Sequence, residues 1–185
     1  MRALRDAIVQ YLIEHGLTDF SLRPLAKAVG SSPRGLLYYF GSKEKMLVQI
    51  FVQLRESQRL AYGRIKARSF GDACRQIWGR MSGPDSEPVF RVFFQAYGPA
   101  LSNPELYKDY LRSTTGDWLQ FIVKSLSQEG YKRKEARALA TVMLAGLRGF
   151  MLDYCATRDR RRLDQAVDLW ADNLDAMLLE RKGGS

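Results

Sequence analysis

Between Gly30 and Lys43 the chain reads GSSPRGLLYYFGSK, and this stretch has to start and stop a helix within fourteen positions. Gly30 and Ser31 make a turn, Ser32 supplies an N-cap, and Pro33 takes the first helical position, where its missing N–H has no intrahelical partner to lose. Leu36, Leu37, Tyr38, Tyr39 and Phe40 are too apolar for a linker. Gly41 then breaks the run, and Ser42 caps a further helix that opens Lys43, Glu44, Lys45. Leu36 and Phe40, four apart, share one face and are expected to hold this short helix against Leu25, Ala26 and Val29.

The rest of the chain carries the same 3.6-residue rhythm, with no sustained alternation that would signal strands. Ala3, Ala7, Ile8, Tyr11 and Leu12 place a helix over 2–15, ended by Gly16. Ser21 caps a second, with Leu22, Leu25, Ala26 and Val29 inward and Pro24 in its first turn, ended by Gly30. The third runs from Pro33 to about Tyr39. The fourth starts at Lys43, carries Met46, Leu47, Ile50, Phe51 and Leu54 on one face, and runs to roughly Ala67. Five more are expected at about 70–81, 87–101, 104–128, 133–157 and 161–181, with Pro99 kinking or stopping one of them near its end. The expectation is an all-α fold of about nine helices.

Several function classes recede on composition. No run approaches the roughly 18–20 apolar residues that cross a bilayer, so no membrane partner is expected. Arg2 and Arg5 begin the chain as a leader peptide would, but Asp6, Gln10 and Glu14 interrupt every apolar run, which reads as a first helix in a cytoplasmic protein. Cys74 and Cys155, far apart in helical contexts, are expected as buried free thiols. The single histidine, His15, sits at a helix end, where it complements the dipole. No nucleophile triad, phosphate-binding glycine loop or metal-ligand spacing is present, so no enzyme, cofactor or metal site is expected.

Charge points elsewhere. The net charge is +9, and residues 1–68 hold twelve Lys and Arg against five Asp and Glu, whereas the remainder is nearly balanced. A localised basic segment suits a polyanion; by charge alone a solvated basic surface is an equal alternative. Position decides between them. The second and third helices are joined by about three turn residues, the spacing of a helix-turn-helix, whose second helix lies in the DNA major groove and presents its N-terminal residues to base edges. Here those are Pro33, Arg34 and Gly35, and Arg34 carries the donor fork that pairs with guanine O6 and N7. Tyr38 and Tyr39 can reach backbone oxygens, as can the helix starts at Ser21 and at Ser42 with Lys43.

The run SLRPLAKAVGSSPRGLLYYFGSKEKML, Ser21 to Leu47, resembles the DNA-binding signature of the TetR family of transcriptional regulators. That signature is a capped helix with Leu-Ala at its centre, a glycine turn, a short recognition helix ending in Tyr-Phe or His-Phe, and Ser-Lys-Glu opening a long helix. The resemblance covers about residues 3–54; beyond them only helix number and length correspond. It implies a helix-turn-helix domain over 1–45, an effector-binding and dimerisation domain over 46–182, and a tail at 183–185. It implies DNA contacts from Ser21, Arg23, Ser32, Pro33, Arg34, Gly35, Leu37, Tyr38, Tyr39 and Lys43. Of these Pro33, Arg34, Gly35 and Leu37 face bases, Ser21, Tyr38, Tyr39 and Lys43 face phosphates, and Arg23 reaches either. Arg34 stands where small residues are frequent and Leu37 where tyrosine is usual, so Leu37 either meets a thymine methyl or turns inward.

For the C-terminal part the resemblance implies a pocket for a small hydrophobic or aromatic effector, for which Trp78, Phe90, Phe93, Phe94, Tyr97, Trp118, Phe121, Met143, Leu147 and Phe150 are candidates. A packed core is the other reading of the same aromatic stripes. Gly146 and Gly149 in mid-helix call for close approach of another helix. With Val142, Ala145, Trp170, Leu174 and Met177 they outline a homodimer interface, or packing within one chain. The function so implied is sequence-specific binding of double-stranded operator DNA by a homodimer, a repressor released from a palindromic site by its effector. The alternative is a helical dimeric sensor or protein-interaction module whose DNA binding is vestigial.

Overall fold

A computed structural model describes residues 2–17, 20–62 and 65–183. Among them are nine helices and no strand: α1 (Arg2–His15), α2 (Leu22–Ala28), α3 (Pro33–Phe40), α4 (Lys43–Tyr62), α5 (Phe70–Met81), α6 (Glu87–Ser102), α7, α8 (Arg133–Thr157) and α9 (Arg160–Gly183). Helix α7 begins at Lys108–Leu111, passes through a π-helical turn at Arg112–Gly116 and continues as Asp117–Gln128.

Four local expectations need correction. Residues 65–67 are not helical, so α4 does not extend to Ala67. The hydroxyl of Ser21 makes no cap bond, although its backbone is extended at the N-cap position. Helix α6 continues through Pro99 to Ser102. Only one intrahelical bond is lost so near the end, and Asn103 N–H still donates to Pro99 O at 3.0 Å. The helix expected from 104 starts at Lys108 and widens at RSTTG, where Ser113 Oγ donates to Tyr110 O at 2.9 Å and Thr114 Oγ1 to Leu111 O at 3.0 Å. Such back-bonding competes with the helical ladder and accompanies the extra residue of a π turn.

The chain divides into two compact units, residues 1–59 with 91–120 and residues 60–90 with 121–185. In the first, Ile8, Leu12, Leu25, Leu36, Met46 and Ile50 are fully buried. The hydroxyl of Tyr110 donates to Phe93 O at 2.9 Å, and its ring lies 5.2 Å from that of Phe51.

In the second unit α5 lies along α9. Four aspartates of α9 meet α5 in succession: Asp164 accepts from Trp78 Nε1 at 2.7 Å, Asp168 from Arg75 Nε at 3.1 Å, and Asp172 also pairs with Arg75. Asp175 accepts from Ser69 Oγ at 2.6 Å and from the Gly71 N–H at 2.8 Å. Arg158, in the left-handed region at φ 59° between α8 and α9, lies 2.7 Å from Glu87 Oε1.

Cys74 is free and buried, as expected, but Cys155 is only half-buried. Burial, with the Asp175 carboxylate nearby, pushes the Cys74 thiol up to about 12, which leaves almost no thiolate near neutrality. A thiol-disulfide reagent at pH 8 is therefore expected to leave Cys74 unmodified in folded protein and to modify it on addition of denaturant; mass spectrometry of the labelled peptides reads this directly.

Helix Arg133–Thr157 is long and apolar enough to meet a length-and-composition test for crossing a bilayer, contrary to the expectation that no run comes close. On one face of it Ala136, Leu139, Ala140, Met143, Leu147 and Met151 are buried.

Candidate nucleic-acid interface

Local chemistry sets the corner between α2 and α3. Val29 ends α2, Gly30 turns at φ +67°, and Ser31 N–H returns to Ala26 O at 2.8 Å, closing the helix end. Helix α3 opens on Ser32, whose Oγ accepts from Gly35 N–H at 3.0 Å, and on Pro33. A Cβ at Gly35 would sit 3.1 Å from Ser31 Oγ and 3.2 Å from Ser32 Oγ. The glycine keeps this turn tight and its backbone open to close approach. At the far end Gly41 stops α3 at φ +84°, and Ser42 Oγ accepts from Lys45 N–H at 3.1 Å to start α4.

The faces of α3 then separate cleanly. Leu36 and Phe40 are buried, as are Leu25 and Ala26 of α2, while Val29 is half-buried. Pro33 and Arg34 are exposed; Tyr38 is 93% exposed, Tyr39 47% and Leu37 38%. Leu37 thus turns outward. Ser21 before α2, Arg23 on it and Ser32 before α3 are exposed as well, whereas Gly35 is half-buried. Lys43 is half-buried because its ammonium donates to Phe20 O at 2.5 Å and lies 4.8 Å from the centre of the Phe20 ring. Two of its three N–H bonds are left for other acceptors. What results is an outward surface of guanidinium, phenol and hydroxyl donors on a helix with an apolar back, the composition that phosphates and base edges require.

The aromatic residues named from the sequence fall into both compact units. In the first, Phe93 lies 5.0 Å from Phe94 and 5.0 Å from Tyr97, and Trp118 is buried. In the second, Phe150 lies 6.2 Å from Trp78 and 5.5 Å from Trp170, and Phe90 and Leu147 are buried. Two of the ten, Phe121 and Met143, line a cleft of about 290 Å³ in the second unit. Its other walls were not singled out from the sequence: Phe70, Ala73 and Ile77 on α5, Ile122 and Leu126 on α7, with Arg68, Ser125 and Glu129 among the polar groups. Phe70, Ala73 and Ile77 do carry a sequence signal, an apolar stripe at spacings of three and four. Their meeting with α7 and α8 does not.

Among the residues considered for self-association, Val142 is 43% exposed, Ala145 is exposed, and a Cβ on Gly149 would meet no atom within 4 Å. Gly146 differs: a Cβ there would lie 2.5 Å from Trp170 Cζ2 of the same chain. Leu174 is buried and Trp170 and Met177 are half-buried. Among the described residues no group of three or more His, Cys, Asp and Glu could hold a metal ion.

The family of bacterial regulatory proteins named tetR matches residues 4–50. A transcriptional regulator from Rhodococcus sp. Rha1 superimposes with a TM-score of 0.75 at 20% identity, covering 92% of this chain and 93% of that one. FadR from Bacillus subtilis, solved with stearoyl-CoA, gives 0.66 at 16% identity over 94% and 97%. BioQ, solved with its double-stranded DNA operator, gives 0.55 at 17% identity over 95% and 97%. No curated protein matches the chain in sequence. Residues 4–50, which include the helix-turn-helix built by Leu22–Phe40, thus match the tetR family of bacterial regulatory proteins, and the helical fold of the whole chain is similar to that of solved transcriptional regulators.

Proposed function

We propose that this DNA-binding regulator is a cytoplasmic homodimer that represses transcription from a palindromic operator and leaves it when a small hydrophobic or aromatic effector binds. Residues 1–45 read the DNA, and 46–182 hold the effector and the partner. The observation that carries this reading is the split of α3: Leu36 and Phe40 lock its back while Pro33, Arg34, Leu37, Tyr38 and Tyr39 face outward.

Arg34 would read guanine, Leu37 would meet a thymine methyl, and Gly35 with Pro33 would let the helix N-terminus approach the bases. Ser21, Ser32, Tyr38, Tyr39 and Lys43 would hold phosphates, and Arg23 either. The cleft at Phe121 and Met143 supports an apolar effector, as does the stearoyl-CoA carried by FadR; the operator held by BioQ supports a DNA target. For the dimer, Val142, Ala145 and Gly149 present a small-residue face on α8, next to an exposed Leu152. Gly146, Trp170, Leu174 and Met177 would shape that face from within the protomer. A two-fold dimer sets two recognition helices about one turn of DNA apart and so requires a palindrome. Release follows if the effector favours the dimer geometry in which that spacing is wrong.

Selection from a random duplex pool at near-physiological salt tests the reading. A palindromic enriched motif supports it; absence of enrichment from folded protein favours a sensor that no longer reads DNA. On the enriched duplex, Arg34→Ala is expected to relax base preference at one position per half-site by about 5- to 150-fold, the equivalent of roughly 1–3 kcal/mol. Lys43→Ala is expected to weaken all sequences alike and to flatten the salt dependence by about one ion. Equal, sequence-independent losses for both would remove Arg34 from the base contacts.

A further inference from the structure

The end of α1 is finished by the side chains of Arg91 and Gln95 on α6, residues that lie with α1 in the first compact unit. Gly16 turns at φ +74°, and its N–H donates to Leu12 O at 2.8 Å, an ordinary left-handed exit. The following N–H, that of Leu17, often returns to a carbonyl of the last turn in such an exit. Here it donates to Gln95 Oε1 at 2.9 Å, from 78 positions further along the chain. One turn earlier on α6, Arg91 Nη2 donates to Ile13 O at 3.5 Å. An i, i+4 pair on α6 therefore supplies both the acceptor and the donor that the end of α1 needs. Gly16 is buried, and a Cβ on it would lie 3.2 Å from Gln95 Oε1, so the amide is seated directly on the turn.

Three residues after Leu17 the chain is held from the other direction, where Phe20 O accepts from Lys43 Nζ at 2.5 Å. Lys43 is the first residue of α4, and only Gly41 and Ser42 separate it from the end of α3. Between α1 and α2 the chain is thus held at Leu17 by α6 and at Phe20 by the first residue of α4.

We propose that Gln95, assisted by Arg91, is a positioning residue for DNA recognition. By completing the cap of α1 it fixes the segment that Lys43 grips, and through Lys43 the C-terminal end of α3. The inference rests on the DNA-binding reading above. Gln95 touches no DNA in this account, so its removal changes affinity without removing a phosphate contact or a base contact.

Gln95→Met preserves length and shape but removes the acceptor; Gln95→Glu preserves the acceptor. Both are compared with wild type on the duplex that wild type selects, with affinity read at several salt concentrations, thermal unfolding, and hydrogen exchange at the Leu17 amide. The expected result is about tenfold weaker binding for Gln95→Met, with the salt slope and base preference of wild type, faster exchange at Leu17, and recovery to within about threefold in Gln95→Glu. Arg91→Met, which removes the longer bond, follows in the same direction by a smaller factor and stands in if Gln95→Met does not fold. Unchanged affinity with faster exchange at Leu17 would overturn the proposal, and so would a loss that only tracks the fraction unfolded at the assay temperature. Failure of wild type to select any duplex is a different result: it removes the DNA-binding reading, and this proposal with it, before a variant is made.

Discussion

Leu36→Ala is expected to cost about 2–5 kcal/mol, because a side chain that is wholly buried leaves both its transfer energy and a cavity behind. The loss falls on an eight-residue helix. Such a helix is too short to persist without its tertiary contacts, and Leu36 and Phe40 are its only fully buried apolar anchors among the described residues. Helix α3 should therefore come away first, so that DNA binding disappears at temperatures where α5, α8 and α9 remain folded. Circular dichroism melts paired with DNA binding would show it as a drop in binding that precedes the main loss of helicity. Tyr38→Ala provides the contrast. At 93% exposure its removal should leave stability within about 0.5 kcal/mol while weakening DNA binding. Equal stability losses for the two variants would mean that α3 is not anchored by its Leu36 face.

Gly71→Ala should be the most damaging single-methyl addition in the second unit. An added Cβ would lie 2.5 Å from the Ala171 carbonyl oxygen and 2.5 Å from Asp175 Oδ2. The first of these is helix backbone and cannot rotate away, so α5 has to back off from α9. That displacement lengthens the bonds of Gly71 and Ser69 to Asp175, and strains those of Arg75 and Trp78 further along. Overpacking of this kind costs about 1–3 kcal/mol, and the loss of linked hydrogen bonds argues for the upper end. In a chain of this size each kcal/mol lowers the unfolding midpoint by roughly 2–4 °C. Gly79→Ala, also in α5 but with nothing within 4 Å of the added carbon, should instead gain about 0.5–1 kcal/mol from helix propensity. A melt in which both substitutions behave alike would contradict the close approach of α5 to α9.

These two glycines illustrate how far a chain can be read before it is folded. Both stand in the same helix, FGDACRQIWGRM, and nothing in that string says which one faces a carbonyl. The same limit applies to Gly146 and Gly149: both ask for a close neighbour, yet only Gly146 meets one in this chain, the ring of Trp170. Nothing in the spacing of the α9 aspartates names Trp78, Arg75 and Gly71 as their partners; that follows only once α5 lies beside them. Ser21, a plausible cap from its type, keeps its hydroxyl out of the helix end.

What the sequence alone determined is the recognition segment. Its turns depend on φ at Gly30 and Gly41, on caps at Ser32 and Ser42, and on a four-residue apolar spacing, all of which are interactions between residues close in the chain. Local geometry of that sort is carried by residue type and order. The tertiary structure decided the rest: which aromatic side chains line a cleft and which pack, which mid-helix glycine is pressed, and how Gln95 comes to cap a helix 78 residues away. Those outcomes depend on which helix faces meet, and an amphipathic stripe specifies that a face will be buried without specifying against what.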